Sequence, residues 1–429
     1  MRFAFYTLGC KVNQFETQAM ESICLGRGHL IVPFEGEADV YIINTCTVTS
    51  EGDRKSRQAA GRARAMNTSA IVAMCGCYCE VSPDEAKRRT GADIVWGNRD
   101  HIGFIDTIEG MDHEYSPGRD FEFLPSGGLE GHTRALLKVQ DGCDNYCSYC
   151  AIPRARGHVR SLSMDRAVSE VKRLAGEGFL EIVVTGIEIA SYGRGPGESG
   201  SLADLVEAIC LAAPGVRIRL GSLHPDIITE DFCRRMAALP NLCRHFHPSL
   251  QSGCDRVLGL MNRRYTAGFF SERLGLLRSY MPGCGLTTDL ICGFPGETED
   301  DFEQTLRFLE NSRFLNVHVF PYSKRPGTRA AAMEGRVPKA SARARCGQAR
   351  ELVGAIRREL LSAARGGTFE VLFEGRDLDE LSGYSREYIP FFRPFAEEFE
   401  HRTAVVKAGG VKDGRVIAIA PGMEEKSGL

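Results

Sequence analysis

Cys143, Cys147 and Cys150 form a C-x3-C-x2-C triplet in the run Gly142-Cys-Asp-Asn-Tyr-Cys-Ser-Tyr-Cys150. Three thiolates this close on a loop can cap three corners of a cubane iron–sulfur cluster, leaving the fourth iron open. An open iron beside a small molecule is a catalytic site rather than a structural one. Structural zinc asks for four ligands, usually in paired C-x2-C units, and His158 is the candidate fourth ligand for that reading. A disulfide accounts poorly for an odd number of thiols in one loop. Upstream, Thr133-Arg-Ala-Leu-Leu-Lys-Val-Gln140 reads as a strand that runs into a turn at Asp141-Gly142. The triplet therefore follows a strand, where α/β barrels carry their chemistry. Tyr146 and Tyr149, between the thiols, are expected to shield the site from water.

The 429 residues are enough for two or three domains, and a formal net charge of −3 names no partner. No run of 18 or more apolar residues is present, which argues against a membrane span. The opening Met1-Arg-Phe-Ala-Phe-Tyr-Thr-Leu-Gly-Cys10 reads as a strand and turn, without the apolar core or cleavage site of a signal peptide. A cytoplasmic location is expected, and there sixteen cysteines suggest metal rather than disulfides. Cys210, Cys233, Cys243 and Cys346 have no partner spacing and read as core residues.

Residues 1 to about 110 read as a βα repeat. Arg2–Leu8, Val40–Ile43 and Ala70–Met74 are strand-like, and Asn13–Leu25 and Ser50–Met66 are helical. Such alternation predicts a parallel sheet with crossovers. Each strand runs into a cysteine: Cys10 after Gly9, Cys46 after Asn44-Thr45, and Cys77 after Gly76. Ligands of open α/β sheets gather at the carboxyl ends of the strands, so three cysteines distant in sequence are predicted to meet at one sheet edge. Ordinary turn cysteines are the competing reading. The third position is open among Cys75, Cys77 and Cys79, and a turn at Gly76 favours Cys77.

Taken together, the two cysteine sets resemble the radical S-adenosylmethionine (SAM) methylthiotransferases. Thr7-Leu-Gly-Cys-Lys-Val-Asn-Gln-Phe-Glu-Thr17, Asn44-Thr-Cys-Thr-Val-Thr49 and Gly76-Cys-Tyr78 are similar to that family's N-terminal domain. Thr185-Gly-Ile-Glu188, Leu250-Gln-Ser-Gly253, Met261-Asn-Arg-Arg-Tyr265, Gly293-Phe-Pro-Gly-Glu297 and Phe320-Pro-Tyr-Ser-Lys-Arg325 are similar to its radical SAM core. The resemblance implies two 4Fe-4S clusters, one held by Cys10, Cys46 and Cys77 and the other by Cys143, Cys147 and Cys150. It also implies SAM used both as methyl donor and as radical source. Lys11-Val-Asn-Gln and Ala151-Ile-Pro-Arg-Ala-Arg-Gly157 look most like the branch that methylthiolates C2 of N6-threonylcarbamoyladenosine at position 37 of tRNA. Gly221-Ser-Leu-His-Pro225 departs toward the isopentenyladenosine branch. That branch and the ribosomal-protein branch are the alternatives.

Further expectations follow from the resemblance. Thr185, Gly186, Glu188, Gly293 and Glu297 lie in turns after strands and would meet SAM; ordinary βα turns with capping residues are the competing reading. Eleven basic residues between Lys324 and Arg365, against Glu334, Glu351 and Glu359, favour nucleic acid over a solvated helix face. Arg154, Arg156, Arg263, Arg264, Lys324 and Arg325 are the candidate contacts to a tRNA anticodon loop. An electron donor of flavodoxin or ferredoxin type and a sulfur source are the other expected partners, with no membrane. The predicted architecture is α/β and multidomain. It comprises a Rossmann-like methylthiotransferase domain over 1–112, a linker over 113–131, a partial (β/α) radical SAM barrel over 132–363, and a small TRAM-like β-barrel with tail over 364–429. The stretch Glu374–Glu400 is acidic, so one face of that barrel is expected to meet RNA at most.

Overall fold

A computed structural model describes residues 1–116, 118–125 and 133–420. The first sheet contains β1 (Arg2–Thr7), β2 (Leu30–Val32), β3 (Val40–Thr45), β4 (Ile71–Gly76) and β5 (Ile94–Val95), all parallel in the order β2-β1-β3-β4-β5. β3 reads VYIINT and is buried along its length because helices cover both faces of the sheet. Two of those helices are α1 (Lys11–Gly26) and α2 (Ser50–Met66).

The central region carries β6 (Arg134–Asp141), β7 (Arg160–Ser161), β8 (Glu181–Gly186), β9 (Arg217–Leu220), β10 (Ser222–Leu223), β11 (His245–Pro248), β12 (Gly285–Cys292) and β13 (Asn316–Pro321). They form two four-stranded sheets, β7-β6-β8-β9 and β10-β11-β12-β13, parallel except for β7. A parallel bridge from Ile218 to Leu242 relates the two sheets, giving an open barrel. Outward residues such as Leu137, Val139, Ile182, Val184, Ile218 and Leu290 join one large apolar core with the helices. Their alternates face inward and are mostly polar: Arg134, Lys138 and Gln140, then Glu181 and Thr185, then Arg217 and Arg219, His245 and His247, Thr287 and Asp289, and His318. A filled (β/α)8 barrel packs branched apolar residues there instead. The inner wall here is that of a chamber.

The last strands, β14 (Thr368–Asp377), β15 (Glu380–Ser385), β16 (Pro390–Pro394), β17 (Arg402–Lys412) and β18 (Arg415–Ile419), close into a barrel in the order β14-β15-β16-β18-β17. This barrel stands against the strand-start end of the central region. Arg219 Nη2 donates to the Ser385 carbonyl at 3.1 Å, Arg134 pairs with Glu374 at 2.8 Å, and the His245 ring stacks on Tyr388 at 4.4 Å. At the centre lies Glu181, fully buried, with Arg219 at 2.7 Å, Arg217 at 2.9 Å and Arg134 at 3.0 Å. Burial opposes its charge, but the three guanidiniums outweigh it and hold the carboxyl at about 2.

The segment expected as a linker, 113–131, lies partly outside the described residues. Its described part is held down. Tyr115 Oη donates to Glu80 at 2.6 Å, Glu122 meets His101 Nδ1 at 2.8 Å, and Leu124 is buried against Phe15 and Ala19 of α1.

Glu181→Ala is expected to destabilise the chain by roughly 3–5 kcal/mol, because it removes the carboxylate from two buried cations, Arg217 and Arg219. Anaerobic chemical denaturation measures this, and a loss under ~1 kcal/mol would show that the network does not hold the barrel. In the parent protein the folded value of Glu181 lies below its usual 4.5. The stabilisation is therefore complete above about pH 5 and fades as pH falls toward 2.

Candidate active site: two cysteine triplets across a domain junction

The first triplet sits where three adjacent strands end. Cys10 caps the start of α1, Cys46 directly follows β3, and Cys77 opens the short helix α3 (Cys77–Val81) after β4. Register pairs Thr7 with Asn44 and Thr45 with Gly76, so the strand ends lie side by side. Two glycines make the approach possible. Gly9 has φ +113°, and a Cβ there would stand 3.2 Å from Cys46 Sγ. Gly76 has φ +96°, and a Cβ there would stand 2.5 Å from Asn44 Oδ1. Asn13 links the edge: its Oδ1 accepts from Cys10 Sγ at 3.4 Å, and its Nδ2 donates to the Thr45 carbonyl at 2.9 Å. Cys75 and Cys79 turn away into the two apolar cores on opposite faces of the sheet. Cys77 is therefore the third thiol of this edge.

The second triplet follows β6. Gly142 has φ +74°, and any Cβ would overlap the His158 carbonyl, so only glycine lets the chain turn there. The loop is pinned by Cys143 N–H to the Gly157 carbonyl at 3.0 Å and Ser148 N–H to the Met261 carbonyl at 3.0 Å. Tyr149 packs edge-on to Phe294, as expected of a shield. Tyr146 does not: it is 55% exposed. His158 is also turned outward, its Nδ1 held by Asp144 at 2.7 Å, so it is not placed as a fourth ligand. Among the described residues no three His, Cys, Asp or Glu converge to hold a single metal ion.

The donor sets fit an iron–sulfur cluster. All six thiols are free of disulfides. A single ion draws its ligands into one coordination sphere, whereas a cubane spreads them over separate irons. Burial pushes the Cys77, Cys143 and Cys150 thiols up to about 12, so metal must displace their protons. One guanidinium offsets this at each triplet: Arg156 Nε donates to Cys77 Sγ at 3.3 Å, and Arg263 Nη1 donates to Cys147 Sγ at 3.4 Å.

These arginines correct the sequence reading. Arg156, expected at RNA, has no exposed surface. It lies on the helix Ile152–Arg156 of the second triplet's loop and reaches across the domain junction. There it binds Glu16 of α1 twice, at 2.6 and 2.9 Å, and Asp141 at 3.4 Å. Lys138 completes the cluster, 2.8 Å from Glu16 and 2.9 Å from Asp141. Arg263 is likewise committed, to Tyr265 Oη and the Ser249 carbonyl as well as Cys147. Arg325, also expected at RNA, is buried between Asp53 and Thr47, 2.7 Å from each. Arg154, Arg264 and Lys324 are exposed, and Arg154 donates to the Pro326 carbonyl. The sequence reading missed Asn13, Glu16, Lys138 and Asp141. One signal was available: Asn13 and Glu16 are three apart on a helix, flanked by the apolar Val12 and Phe15.

The two candidate SAM turns behave differently. Thr185 and Gly186 end β8 beside the second triplet, and a Cβ on Gly186 would come within 2.8 Å of the Gln140 carbonyl. Glu188 N–H donates to Gln140 Oε1 at 2.7 Å, and its carboxylate caps Ala190 N–H at 3.3 Å. Burial pushes the Glu188 carboxyl up to about 7 against the pull of Arg263. Gly293 turns after β12 with φ +75°. Glu297 is used internally: it accepts from Gly293 N–H at 3.1 Å and from Arg345 at 2.7 Å, and so shapes the turn rather than facing a ligand.

Residues 137–309 match the radical SAM superfamily, and residues 2–97 match the family described as "Uncharacterized protein family UPF0004". The chain is 40% identical over 344 residues to the threonylcarbamoyladenosine tRNA methylthiotransferase MtaB of Bacillus subtilis, covering 78% of this chain and 76% of the relative. It is 36% identical to the Thermotoga maritima protein of that name, with 89% of each covered. It is 34% identical to the tRNA-2-methylthio-N(6)-dimethylallyladenosine synthase of Moorella thermoacetica, with 90% of each covered. Among solved structures, the radical SAM methyltransferase TsrM of Kitasatospora setae, with cobalamin and a [4Fe-4S] cluster bound, superposes with TM-score 0.56 at 16% identity over 77% of each chain; the likeness is one of fold. The chain belongs to the radical SAM methylthiotransferase family. It is an enzyme whose family cofactors are SAM and 4Fe-4S iron–sulfur.

Arg156→Lys keeps a positive charge but loses the fork that serves Cys77 and Glu16 together. The reduction midpoint of the N-terminal cluster is expected to fall, with the Cys143-set signal unmoved, in an anaerobic redox titration followed by electron paramagnetic resonance. An unchanged midpoint would reduce Arg156 to a packing role. For Glu188 the raised value means that its negative charge is lost as pH falls below about 7. SAM affinity measured by calorimetry is expected to weaken from pH 8 to pH 6, and to lose that pH dependence in Glu188→Gln.

Proposed function

We propose that this enzyme inserts a methylthio group at C2 of N6-threonylcarbamoyladenosine in the anticodon loop of tRNA, at position 37. The observation that carries this reading is the set of relatives named for that reaction, matched along most of their length and most of this chain. The paired thiol sets supply the chemical support. C2 of adenine is an unactivated aromatic C–H carbon that no protein base deprotonates at neutral pH. Cys10, Cys46 and Cys77 would hold one 4Fe-4S cluster, and Cys143, Cys147 and Cys150 the other. When bound, these clusters together with SAM supply radical and sulfur-transfer chemistry.

The chain's own residues orient and enclose this chemistry. Arg156 and the Glu16–Lys138–Asp141 cluster fix the two triplets relative to each other, and Tyr149 and Phe294 exclude water on the SAM side. Thr185, Gly186 and Glu188 form an edge that would hold the methionyl group of SAM. The target base must leave its stack to enter the junction. Arg154, Arg264 and Lys324, with exposed Arg329, Arg336, Lys339 and Arg343 at and near the start of the helix Lys339–Ala363, offer a cationic surface for phosphates. An external electron donor and a sulfur source complete the reaction. Among the described residues no helix is long and apolar enough to cross a membrane.

Mass spectrometry of total tRNA nucleosides tests the assignment in a deletion strain complemented with the parent gene or with Cys46→Ala. Loss of 2-methylthio-N6-threonylcarbamoyladenosine, restored by the parent alone, is expected. Cys46→Ala protein should also retain about four of roughly eight irons per chain. Loss of the methylthio-isopentenyl nucleoside instead would move the chain to the sister branch, and no change in either would overturn the tRNA reading.

A further inference from the structure

One cation of the first domain, Lys11, faces the inner wall of the open barrel. Lys11 directly follows Cys10 at the start of α1. Helix α1 packs on the inner side of β6, where Glu16 meets Lys138 and Phe15 and Ala19 meet Leu136. Lys11 thereby faces the chamber rather than the outer surface. Its side chain is open to water, and among the described residues it has no hydrogen-bond or ion-pair partner. It stands within electrostatic reach of Arg219 and Arg134 in one direction and of His245 and His318 in another.

The charges around Lys11 do not balance. Glu181 is already shared by three arginines. Asp289 is held by His247 Nε2 at 3.2 Å, whose other nitrogen meets Thr287 Oγ1 at 2.8 Å. Behind them, Nδ1 of buried His245 has no hydrogen-bond partner among the described residues. A chamber lined by histidines and headed by an unanswered ammonium is built for an anion.

The position narrows the anion's identity. Lys11 is one residue from a thiol of the first triplet, so its occupant is attached to, or lies beside, the base presented to that triplet. RNA phosphates run along the outside of an extruded nucleotide. The N6 arm of threonylcarbamoyladenosine ends in a carboxylate, whereas a dimethylallyl arm carries no charge.

We propose that the chamber headed by Lys11, with His318 and His247 on its far wall, is a carboxylate subsite that receives the threonylcarbamoyl arm and thereby selects it over a neutral arm. This rests on the tRNA reading above. Lys11 is a specificity residue rather than a catalytic one.

Binding of anticodon stem–loop RNAs to the reconstituted full chain tests it, with SAM omitted because its own carboxylate competes. Three RNAs are used, carrying N6-threonylcarbamoyladenosine, its methyl ester, or N6-dimethylallyladenosine. The parent protein should bind the acid about tenfold or more tighter than the ester. Lys11→Met should bind acid and ester alike, Lys11→Arg should recover part of the preference, and iron content should report that each variant is folded. Lys11→Met that keeps the full acid-over-ester preference overturns the subsite while leaving the tRNA reading intact. A parent protein that prefers the dimethylallyl RNA overturns both. If Lys11→Met lacks iron, His318→Gln on the far wall is read in its place, with a weakened preference expected and an intact one overturning the proposal.

Discussion

A buried ion cluster at the domain junction is the constraint on which the rest of the structure depends. Glu16 from the first domain and Asp141 from the second are both withdrawn from water, and each would be costly alone. Lys138 and Arg156 already answer Asp141 within the second domain, and they compensate Glu16 only when the two domains are docked. Docking is thereby tied to the geometry of the thiols: Arg156 belongs to the loop of one triplet and donates to a cysteine of the other. One side chain fixes the distance across which the chemistry must run.

The same logic explains an interior that would be a poor hydrophobic core. Strand residues facing out under the helices are apolar, and those facing in are arginine, histidine, lysine, aspartate and glutamate. Their desolvation is offset in pairs at the strand-start end, where the C-terminal barrel caps Arg217 and Arg219 with backbone carbonyls. Toward the thiols the pairing is incomplete, and Lys11 is left for a ligand. The polar lining is thus graded: closed where the small barrel sits and open where a base would enter.

Much of this was legible from sequence because local rules decide it. The two triplets, the strand ends that carry them and the turns at Gly9, Gly76 and Gly142 follow from spacing, strand pattern and glycine placement. The first domain followed from alternating elements and the last from short strands, whereas the central barrel followed from the family resemblance. The arginines were not legible. Arg154, Arg156, Arg263, Arg264 and Arg325 look alike along the chain, yet three of them are committed to buried partners supplied by residues as far off as Glu16 and Asp53. Only tertiary contact separates a cation that steers RNA from one that tunes a thiolate. Glu297 shows the same limit, since its partner Arg345 lies on the long helix Lys339–Ala363.

The central claim is that two iron–sulfur clusters face each other across this junction. Electron paramagnetic resonance of the anaerobically reconstituted and reduced full chain tests it most directly. The account predicts two cluster signals that broaden each other through magnetic coupling, with the coupling lost when Cys46 or Cys147 is replaced by alanine. A single signal in the parent protein, or two signals with no mutual broadening, would contradict it.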